Sequence, residues 1–359
     1  MRWDGGQASG SGKGSKRRIG GTWRIRIPSE AEPLTGTILV CGGAGYIGSH
    51  MVRLLADRGF EVVVFDDLST GHRESIANVE LVEGDVRDAA ALDALFGAFR
   101  FEAVMHFCAK SLVGESVLKP LEYYENNVGG SISLVQAMQR HGVDKLVFSS
   151  TAAVFGEPES ELIDEDHPKS PLNPYGHSKL MVERMLADVA AAHGLRAVAL
   201  RYFNAAGASL AGGIGESHDP ETHLIPNVLK AAAGSGPRLK VFGTDYDTRD
   251  GTCVRDYIHV DDLARAHLAA LEFMTREEGF HAFNLGNGQG FSVLEVIQAA
   301  GKVVGRDVPY EVAERRAGDP AVLVASSALA AKKLGWQPEI TDLEAIIESA
   351  WHWHREQRY

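Results

Sequence analysis

Cysteine is scarce in this chain of 359 residues, which contains only Cys41, Cys108 and Cys253. The three are far apart in sequence and form neither a C-x-x-C pair nor a Cys/His spacing of the kind that binds zinc. An odd and sparse set of cysteines does not make a disulfide framework. The sequence therefore predicts a protein of the reducing cytoplasm.

Long apolar runs are also missing, so we expect no membrane-spanning segment. Basic residues are in deficit, with 36 Lys and Arg against 48 Asp and Glu and a net charge of -12. A surface of that charge should repel nucleic acid and anionic membranes, and we predict neither as a partner. We predict no metal site either, since the alternation Trp351-His352-Trp353-His354 has no spaced carboxylate or cysteine beside it.

Residues 1–36 differ from the rest in composition, being rich in Gly, Ser, Lys and Arg and including Lys16-Arg17-Arg18. The stretch has no apolar core of the kind found in a secretory signal peptide. We expect it to be a disordered basic extension.

From Thr37 onward, short apolar runs alternate with helical patterns. Strands are predicted at 37–41, 61–65, 81–82, 103–107, 145–149 and 195–200, with the first helix over 49–58. Apolar runs that are continuous rather than alternating indicate a parallel sheet covered on both faces. We therefore predict an α/β fold with a doubly wound parallel sheet over residues 37–204. Residues 205–359 should form a smaller α/β lobe, with some segments returning to the first domain.

The glycine-rich segment Gly42-Gly-Ala-Gly45-Tyr-Ile-Gly48 joins the first strand to the first helix, and Asp66 ends the next strand. Glycines allow a tight turn and close approach of a pyrophosphate, while the helix N-terminus offers free N–H groups. This context predicts a Rossmann-type dinucleotide site. Asp66 should bind the ribose hydroxyls and disfavour the extra phosphate of NADP, so NAD is predicted. Asp67 adds negative charge. The nearby Arg73 is expected to be a solvated loop charge; if it instead faced the ribose, it would weaken the preference for NAD over NADP.

A second pattern, Tyr175-Gly-His-Ser-Lys179, places Tyr and Lys on one face of a helix. A lysine cation and a nicotinamide ring nearby would favour the phenolate and make Tyr175 a general base. Ser149-Ser150-Thr151 ends a predicted strand about 25 residues upstream, where a hydroxyl can share the substrate proton.

Further stretches carry a resemblance to a known family. They are 104–107, 113–117, 120–124, Asn126-Asn-Val128, 175–183, Arg201-Tyr-Phe-Asn204, Asp250-Gly-Thr252, Val254-Arg-Asp-Tyr-Ile-His-Val260 and Arg315-Arg-Ala-Gly-Asp319. With them the sequence resembles the UDP-glucose 4-epimerases of the extended short-chain dehydrogenase/reductase family, from about Thr37 to the Leu334-Gly-Trp336 region. The resemblance implies an NAD-dependent isomerase acting on a UDP-sugar, UDP-galactose and UDP-glucose first, and a homodimer.

The resemblance also implies roles for individual residues. Tyr175, Lys179 and Thr151 would be catalytic, and Thr151 and Tyr175 would also contact the substrate. The cofactor would be bound by Gly42, Gly45, Tyr46, Ile47, Gly48, Asp66, Asp67, Asp85, Val86, Phe107, Asn127, Ser149, Tyr175, Lys179 and Tyr202. The UDP-sugar would be bound by Asn204, His223, Leu224, Lys240 (through its backbone), Phe242, Arg255, Tyr257, Arg316 and Asp319.

Three positions differ from the pattern of some or all family members. Position 223 is His where some members carry Asn. Lys110 is displaced by one position from the family's lysine, with Ser111 in the aligned place, so Lys110 is not assigned to the cofactor. Leu323 stands where some members have a larger Tyr, which suggests room for an N-acetylated sugar.

Other functions compete with a 4-epimerase. A related dehydratase would need an Asp-Glu pair directly after Thr151, and here those positions are Ala152 and Ala153. A reductase that releases its dinucleotide would consume nicotinamide during turnover. A binding protein without catalysis would have no use for the Thr151, Tyr175 and Lys179 set. Another sugar specificity, for N-acetylhexosamines or pentoses, stays open.

Overall fold

The computed structural model describes residues 34–76, 78–316 and 319–359. The predicted basic extension lies outside these residues, except for its last three. Of those, Thr35 and Gly36 donate their backbone N–H groups to the carboxylate of Glu102, at 2.9 and 2.6 Å. The chain is therefore fastened to the strand containing Glu102 before the first strand begins.

Strands and helices are numbered along the chain. The strands are β1 (Thr37–Cys41), β2 (Val62–Asp66), β3 (Glu80–Glu83), β4 (Phe101–His106), β5 (Lys145–Thr151), β6 (Arg196–Tyr202), β7 (Asn204–Ala206), β8 (Leu239–Phe242), β9 (Val254–Arg255), β10 (Tyr257–His259), β11 (Phe280–Leu285), β12 (Phe291–Ser292), β13 (Tyr310–Ala313) and β14 (Val322–Leu323). The helices are α1 (Tyr46–Asp57), α2 (Ala89–Ala98), α3 (Val113–Leu118), α4 (Pro120–Tyr123), α5 (Gly130–Arg140), α6 (Pro174–His193), α7 (Leu224–Ala233), α8 (Val260–Phe273), α9 (Val293–Val304), α10 (Ala328–Leu334) and α11 (Leu343–Arg355).

Seven of these strands form one parallel sheet in the order β11-β6-β5-β4-β1-β2-β3. Neighbouring residues of each strand face opposite sides, which explains the continuous apolar runs. In β1, Ile38 and Val40 join the core beneath α1 and α8, whereas Leu39 and Cys41 join the core beneath α2, α5 and α6. The sheet is thus covered by helices on both faces.

The predicted fold class is confirmed by this sheet. The six predicted strands correspond to β1–β6, with shifts of a few residues at their ends, and α1 begins earlier than predicted, at Tyr46 inside the glycine segment. The seventh strand, β11, was not predicted. It returns from residue 280 to pair with β6 through register partners such as Phe283 and Leu200.

The second half of the chain builds three small sheets: β10-β7, β12-β9-β14 and β13-β8. A separate core of α7, α9 and α11 side chains, among them Val228, Val296 and Ile346, supports them. Across the described ranges, no helix combines the length and apolarity needed to cross a bilayer.

Candidate active site at the carboxyl end of the sheet

The glycine segment forms the turn between β1 and α1. Gly42 has φ +79°, and a Cβ there would lie 2.7 Å from the backbone nitrogen of Cys108. A Cβ on Gly48 would lie 2.1 Å from the carbonyl oxygen of Gly42. Gly45 precedes α1 as its N-cap residue and makes no side-chain cap. The turn therefore needs glycine at positions 42 and 48 and leaves a backbone cradle with N–H groups at a helix N-terminus.

Asp66 ends β2 beside this turn and is buried. Its carboxylate accepts hydrogen bonds from the backbone N–H groups of Ala44 and Leu68, both at 2.9 Å. Burial raises the pKa of the Asp66 carboxyl, and the two backbone donors partly offset that effect. Asp67 caps the following loop through Ser69, and Arg73 pairs with Glu83 at 3.3 Å on the surface.

Three further predicted cofactor residues follow the ends of β3 and β4. The Asp85 carboxylate accepts from the guanidinium of Arg87, with Nε to Oδ2 at 2.9 Å, which holds the pKa of Asp85 below its usual range. Val86 is buried against Gly130. Phe107 is half-buried, with its ring 4.8 Å from that of His267.

Asn127 lies in the turn of wide π-helical form, Tyr124–Gly129, that leads into α5. Its amide nitrogen donates to Ser178 Oγ at 2.9 Å and its amide oxygen accepts from Lys110 N at 2.9 Å. Asn127 therefore braces α6 against the loop after β4. The Lys110 ammonium points elsewhere and pairs with Glu122 at 3.2 Å.

Helix α6 begins just before the predicted Tyr-Lys pair. Asn173 is its N-cap, accepting from Gly176 N at 2.9 Å, and Pro174 occupies the first turn, where a missing N–H costs nothing. Because a Cβ on Gly176 would lie 2.4 Å from the carbonyl oxygen of Ala153, the helix start and the loop after β5 are in close contact. Tyr175 is thereby fixed beside the end of β5.

At that strand end, the Lys179 ammonium donates to the carbonyl oxygen of Ser149 at 2.7 Å and lies 4.7 Å from the centre of the Phe148 ring. The Ser149 hydroxyl shares a short hydrogen bond with the hydroxyl of Tyr202. The structure thus brings Ser149, Lys179 and Tyr202 together. Thr151, whose hydroxyl accepts from Ala153 N at 3.2 Å, lies beside the phenol of Tyr175.

Burial controls the titration of this group. It lowers the pKa of Lys179 to about 7 and raises the pKa of Tyr175, although the neighbouring Thr151 hydroxyl partly offsets the latter shift. Burial likewise raises the pKa of Tyr202. In the protein alone, then, the phenol of Tyr175 is held neutral. Lowering its pKa requires positive charge at the site.

A buried ion pair that sequence reasoning missed ties this strand end to α6. Glu183 accepts from Ser150 Oγ at 2.5 Å and forms a two-point contact with Arg201, at 2.9 and 2.6 Å. Ser150 lies between Ser149 and Thr151, and Arg201 precedes Tyr202. Glu183 therefore holds α6, β5 and β6 in one arrangement. Its position one turn after Lys179 is the only sequence signal for it.

Beyond Tyr202 the chain enters an open cleft of about 1280 Å³, counting space continuous with solvent. The nine residues predicted to bind only the UDP-sugar all line it, namely Asn204, His223, Leu224, Lys240, Phe242, Arg255, Tyr257, Arg316 and Asp319. They come from β7, β8, β9 and β10, the start of α7 and the loop after β13. The sequence places them up to 115 residues apart, and the fold collects them.

Two of the cationic side chains that line the cleft are the predicted arginines. Arg255 pairs with Asp319 at 2.6 Å and is largely buried. The Arg316 guanidinium lies 3.9 Å from the centre of the Phe242 ring, which supports it by a cation–π contact. Planar guanidinium groups suit a diphosphate because each can donate two parallel hydrogen bonds. The neighbouring Arg315 turns away to Asp245.

His223 stands at the cleft wall in contact with two glutamates. Its Nδ1 lies 2.7 Å from Glu216 Oε1 and 3.0 Å from Glu221 Oε1. Burial alone would lower the pKa of His223, but these hydrogen bonds outweigh it and raise the pKa to about 10. Glu216 also lines the cleft and was not predicted, and neither was Asn227, whose amide donates to the His223 carbonyl oxygen at 2.9 Å.

Comparison with known proteins agrees with this architecture. Residues 38–286 match the NAD dependent epimerase/dehydratase family. The chain belongs to that family, and the resemblance noted from its sequence motifs is confirmed.

Within the family, similar proteins share one activity by name. A UDP-glucose 4-epimerase of Halalkalibacterium halodurans is 52% identical over 319 residues, which are 89% of this chain and 96% of that protein. The crystal structure of UDP-glucose 4-epimerase from Brucella ovis in complex with NAD is 50% identical and has a TM-score of 0.86 over 88% of this chain and 98% of that one. The Bifidobacterium longum enzyme in complex with NAD⁺ and UDP is 41% identical, with a TM-score of 0.85 over 89% and 98% of the two chains.

Proposed function

We propose that this protein is an NAD-dependent isomerase that interconverts UDP-galactose and UDP-glucose by transient oxidation at C4 of the hexose. The observation that carries the proposal is the junction at residues 202–204. Tyr202 touches the Ser149 end of the Tyr175–Lys179 group, and Asn204 lines the cleft with Arg255 and Arg316. The proposed oxidation site and the proposed diphosphate site are therefore adjacent, since residues 202 and 204 reach one each.

The cradle fits NAD. Gly42, Gly45 and Gly48 leave backbone room for a pyrophosphate, with Tyr46 and Ile47 opening the helix that faces it. The Asp66 carboxylate stands where it can also accept from ribose hydroxyls, with Asp67 beside it. The bound dinucleotide supplies a hydride acceptor and donor, which no side chain of the protein can provide.

The other assigned residues lie in the order in which an extended dinucleotide would pass them. Asp85 and Val86 follow β3 and would lie by the adenine, Phe107 follows β4, and Asn127 borders the same loop. Ser149, Lys179 and Tyr202 lie at the end of β5, where the nicotinamide would stand. We propose that residues 37–204 hold the dinucleotide and that residues 205–359 mainly hold the UDP-sugar.

Tyr175 is the proposed base. It takes the proton of the C4 hydroxyl as the C4 hydrogen leaves, and gives it back when the 4-keto sugar is reduced on its other face. Thr151 lies beside the phenol and would hold the same sugar hydroxyl. Lys179, poised near neutral pH by burial, and the positive nicotinamide ring together lower the cost of the phenolate.

Inversion requires the 4-keto sugar to turn over between the two hydride transfers. Anchoring through the UDP permits this, because Arg255, Arg316 and Asp319 hold the nucleotide end while the hexose stays loosely contacted. His223, Leu224, Lys240, Phe242 and Tyr257 would complete the nucleotide side of the cleft.

An assay without added nicotinamide tests the proposal. Purified protein is mixed with UDP-galactose alone, and ¹H NMR follows the anomeric signals. We expect conversion to an equilibrium mixture with UDP-glucose. Product that accumulates only when NAD(H) is added and consumed would mean a releasing reductase, and loss of water from the sugar would mean a dehydratase. Ala152 and Ala153 speak against the latter, since methyl groups transfer no proton.

A homodimer is proposed from an apolar surface on α3–α6. Leu118 and Leu121 are 82% and 80% exposed, and Val117, Ile132 and Met181 are exposed around them. Helices α3 and α4 both pack against α6, so these side chains lie on neighbouring helices, and a second copy is the occupant we propose. Sedimentation should give a dimer for the wild type and a monomer for Leu118→Asp/Leu121→Asp; a wild-type monomer would refute the proposed dimer.

The three free cysteines, Cys41, Cys108 and Cys253, support a reducing cytoplasm as the location.

A further inference from the structure

A cluster of two glutamates and two histidines lies on the segment that connects β7 to α7. Its members follow the spacing Glu216-x-His218-x-x-Glu221-x-His223. One ligand-capable atom from each of the four lies within 4.8 Å of all the others. This spacing is neither helical nor one of the common zinc spacings, so it does not stand out in the sequence.

The distances between these atoms match a metal shell. Zinc binds nitrogen and oxygen at about 2.0–2.2 Å, so the ligand atoms of a tetrahedral site lie about 3.3 Å apart. Here Nδ1 of His223 lies 2.7 and 3.0 Å from Oε1 of Glu216 and of Glu221. Nδ1 of His218 lies 3.2 Å from Oε1 of Glu216 and 3.8 Å from Oε2 of Glu221. Each imidazole thus directs its own Nδ1 toward the space between the two carboxylates.

The carboxylates are buried and oriented. The side chains of Glu216 and Glu221 are only 6% and 4% exposed. Oε1 of Glu221 also accepts from the backbone N–H groups of Thr222 and His223, at 2.7 and 2.8 Å, which fixes the carboxylate with Oε2 toward His218. Outer hydrogen bonds of this kind orient the ligands of metal sites.

Charge balance points the same way. Two buried carboxylates require two positive charges nearby. One divalent cation supplies both and leaves no net charge on the two carboxylates and the ion together.

We propose that Glu216, His218, Glu221 and His223 form a binding site for a divalent transition metal ion, with zinc as the ion that fits best. Two imidazole nitrogens with two carboxylate oxygens suit zinc, whereas calcium and magnesium prefer shells made of oxygen.

The position of the site indicates that the ion would have a structural role. Glu216 and His223 line the cleft, the His218 ring meets the ring of Tyr46 edge-on at 6.2 Å, and Trp353 Nε1 donates to the Glu216 carbonyl oxygen at 2.8 Å. An ion here ties together both ends of the 216–223 segment, which leads into α7 and forms one cleft wall. It touches none of Thr151, Tyr175 or Lys179.

The test is zinc uptake by the full-length protein, expressed without a polyhistidine tag and carrying its dinucleotide. After treatment with EDTA and dialysis against buffered zinc, elemental analysis by mass spectrometry should find one zinc per chain. His218→Gln should weaken zinc binding by more than about 100-fold, the upper limit for losing an outer-sphere partner. His352→Gln, an exposed histidine on α11, is the matched control and should bind zinc as the wild type does.

Added zinc should also raise the melting temperature of the wild type and of His352→Gln but not of His218→Gln. If His218→Gln does not fold, Co²⁺ bound to the wild type decides the matter, because a four-coordinate site gives strong visible absorption bands. Wild-type protein that retains no zinc overturns the proposal. So does equal uptake by His218→Gln, or a weak Co²⁺ spectrum typical of six-coordinate surface binding.

Discussion

The end of the large sheet and the cleft beside it hold their functional side chains in different ways. At the sheet, Lys179 is 2% exposed and Glu183 and Arg201 are buried beside it, all on regular elements with hydrogen bonds between them. In the cleft, Arg316 and Lys240 are exposed and stand on short strands and loops. The first region supplies fixed geometry for proton transfer, and the second supplies an open surface that a large ligand can enter and leave.

Because of this difference, substitutions in the two regions should affect different measured constants. Changes at the sheet end should reduce turnover or stability, whereas changes in the cleft should reduce affinity.

The largest effect is expected for Tyr175→Phe, which removes the proposed base. Turnover of UDP-galactose should fall by about 10³-fold or more, since general base catalysis contributes factors of this size. Dinucleotide content and melting temperature should stay near the wild-type values, and NMR conversion rates provide the measurement. Tyr310→Phe, an exposed tyrosine on β13, is the control. Substantial activity in Tyr175→Phe would remove this residue from the proposed role.

Glu183→Gln should lower the free energy of unfolding by about 3 kcal/mol, because removing one member of a buried ion pair leaves the other charge unpaired. Urea denaturation at fixed dinucleotide concentration measures it. Asp93→Asn, which breaks the surface pair with Arg140, should show little change. Equal stability of the two variants would mean that the Glu183–Arg201 pair does not hold α6 to the sheet.

Arg316→Lys should raise the KM for UDP-galactose roughly tenfold and leave kcat within about twofold, because lysine cannot make a bidentate contact with a diphosphate. Steady-state kinetics measure both constants. Arg315→Lys, one residue earlier and turned toward Asp245, should leave both constants unchanged. A loss confined to kcat would contradict the expectation that changes in the cleft reduce affinity rather than turnover.

A change of similar size, confined to one substrate, concerns the bulk of the sugar. Leu323 lies in β14 next to Arg255 of β9 and packs near Phe155 in the loop after Thr151, between the two regions. Leu323→Tyr should lower turnover of UDP-N-acetylgalactosamine relative to UDP-galactose by about tenfold, a size typical of discrimination by a pocket wall. Turnover of both substrates is compared in one NMR assay. A wild type wholly inactive on the acetylated sugar would end the hypothesis that Leu323 leaves room for it.

The sheet and its glycine turn could be predicted because their causes are local. Continuous apolar runs indicate the strands, and the glycines of the turn stand next to one another in sequence, at positions 42 to 48. Strand β11 has no local signal that distinguishes it, because its partner β6 lies about 80 residues earlier and only the fold brings them together.

The cleft was predicted by resemblance and not by physics. The residues that approach one another there, such as Phe242 with Arg316, come from distant loops and carry no shared periodicity. Spacing alone also missed Glu183, whose partners Ser150 and Arg201 lie on two different strands, and it missed Glu216 with its two histidines.

The placement of Asp66 bears on any attempt to redesign cofactor preference. Besides its proposed contact with the ribose, the carboxylate accepts hydrogen bonds from the backbone N–H groups of Ala44 and Leu68 and so holds the loop that follows β2. Exchanging it for a neutral or basic side chain to admit a 2′-phosphate would loosen the glycine turn as well as remove the repulsion. A more promising route leaves Asp66 in place and recruits the phosphate from the exposed side, by freeing Arg73 from Glu83.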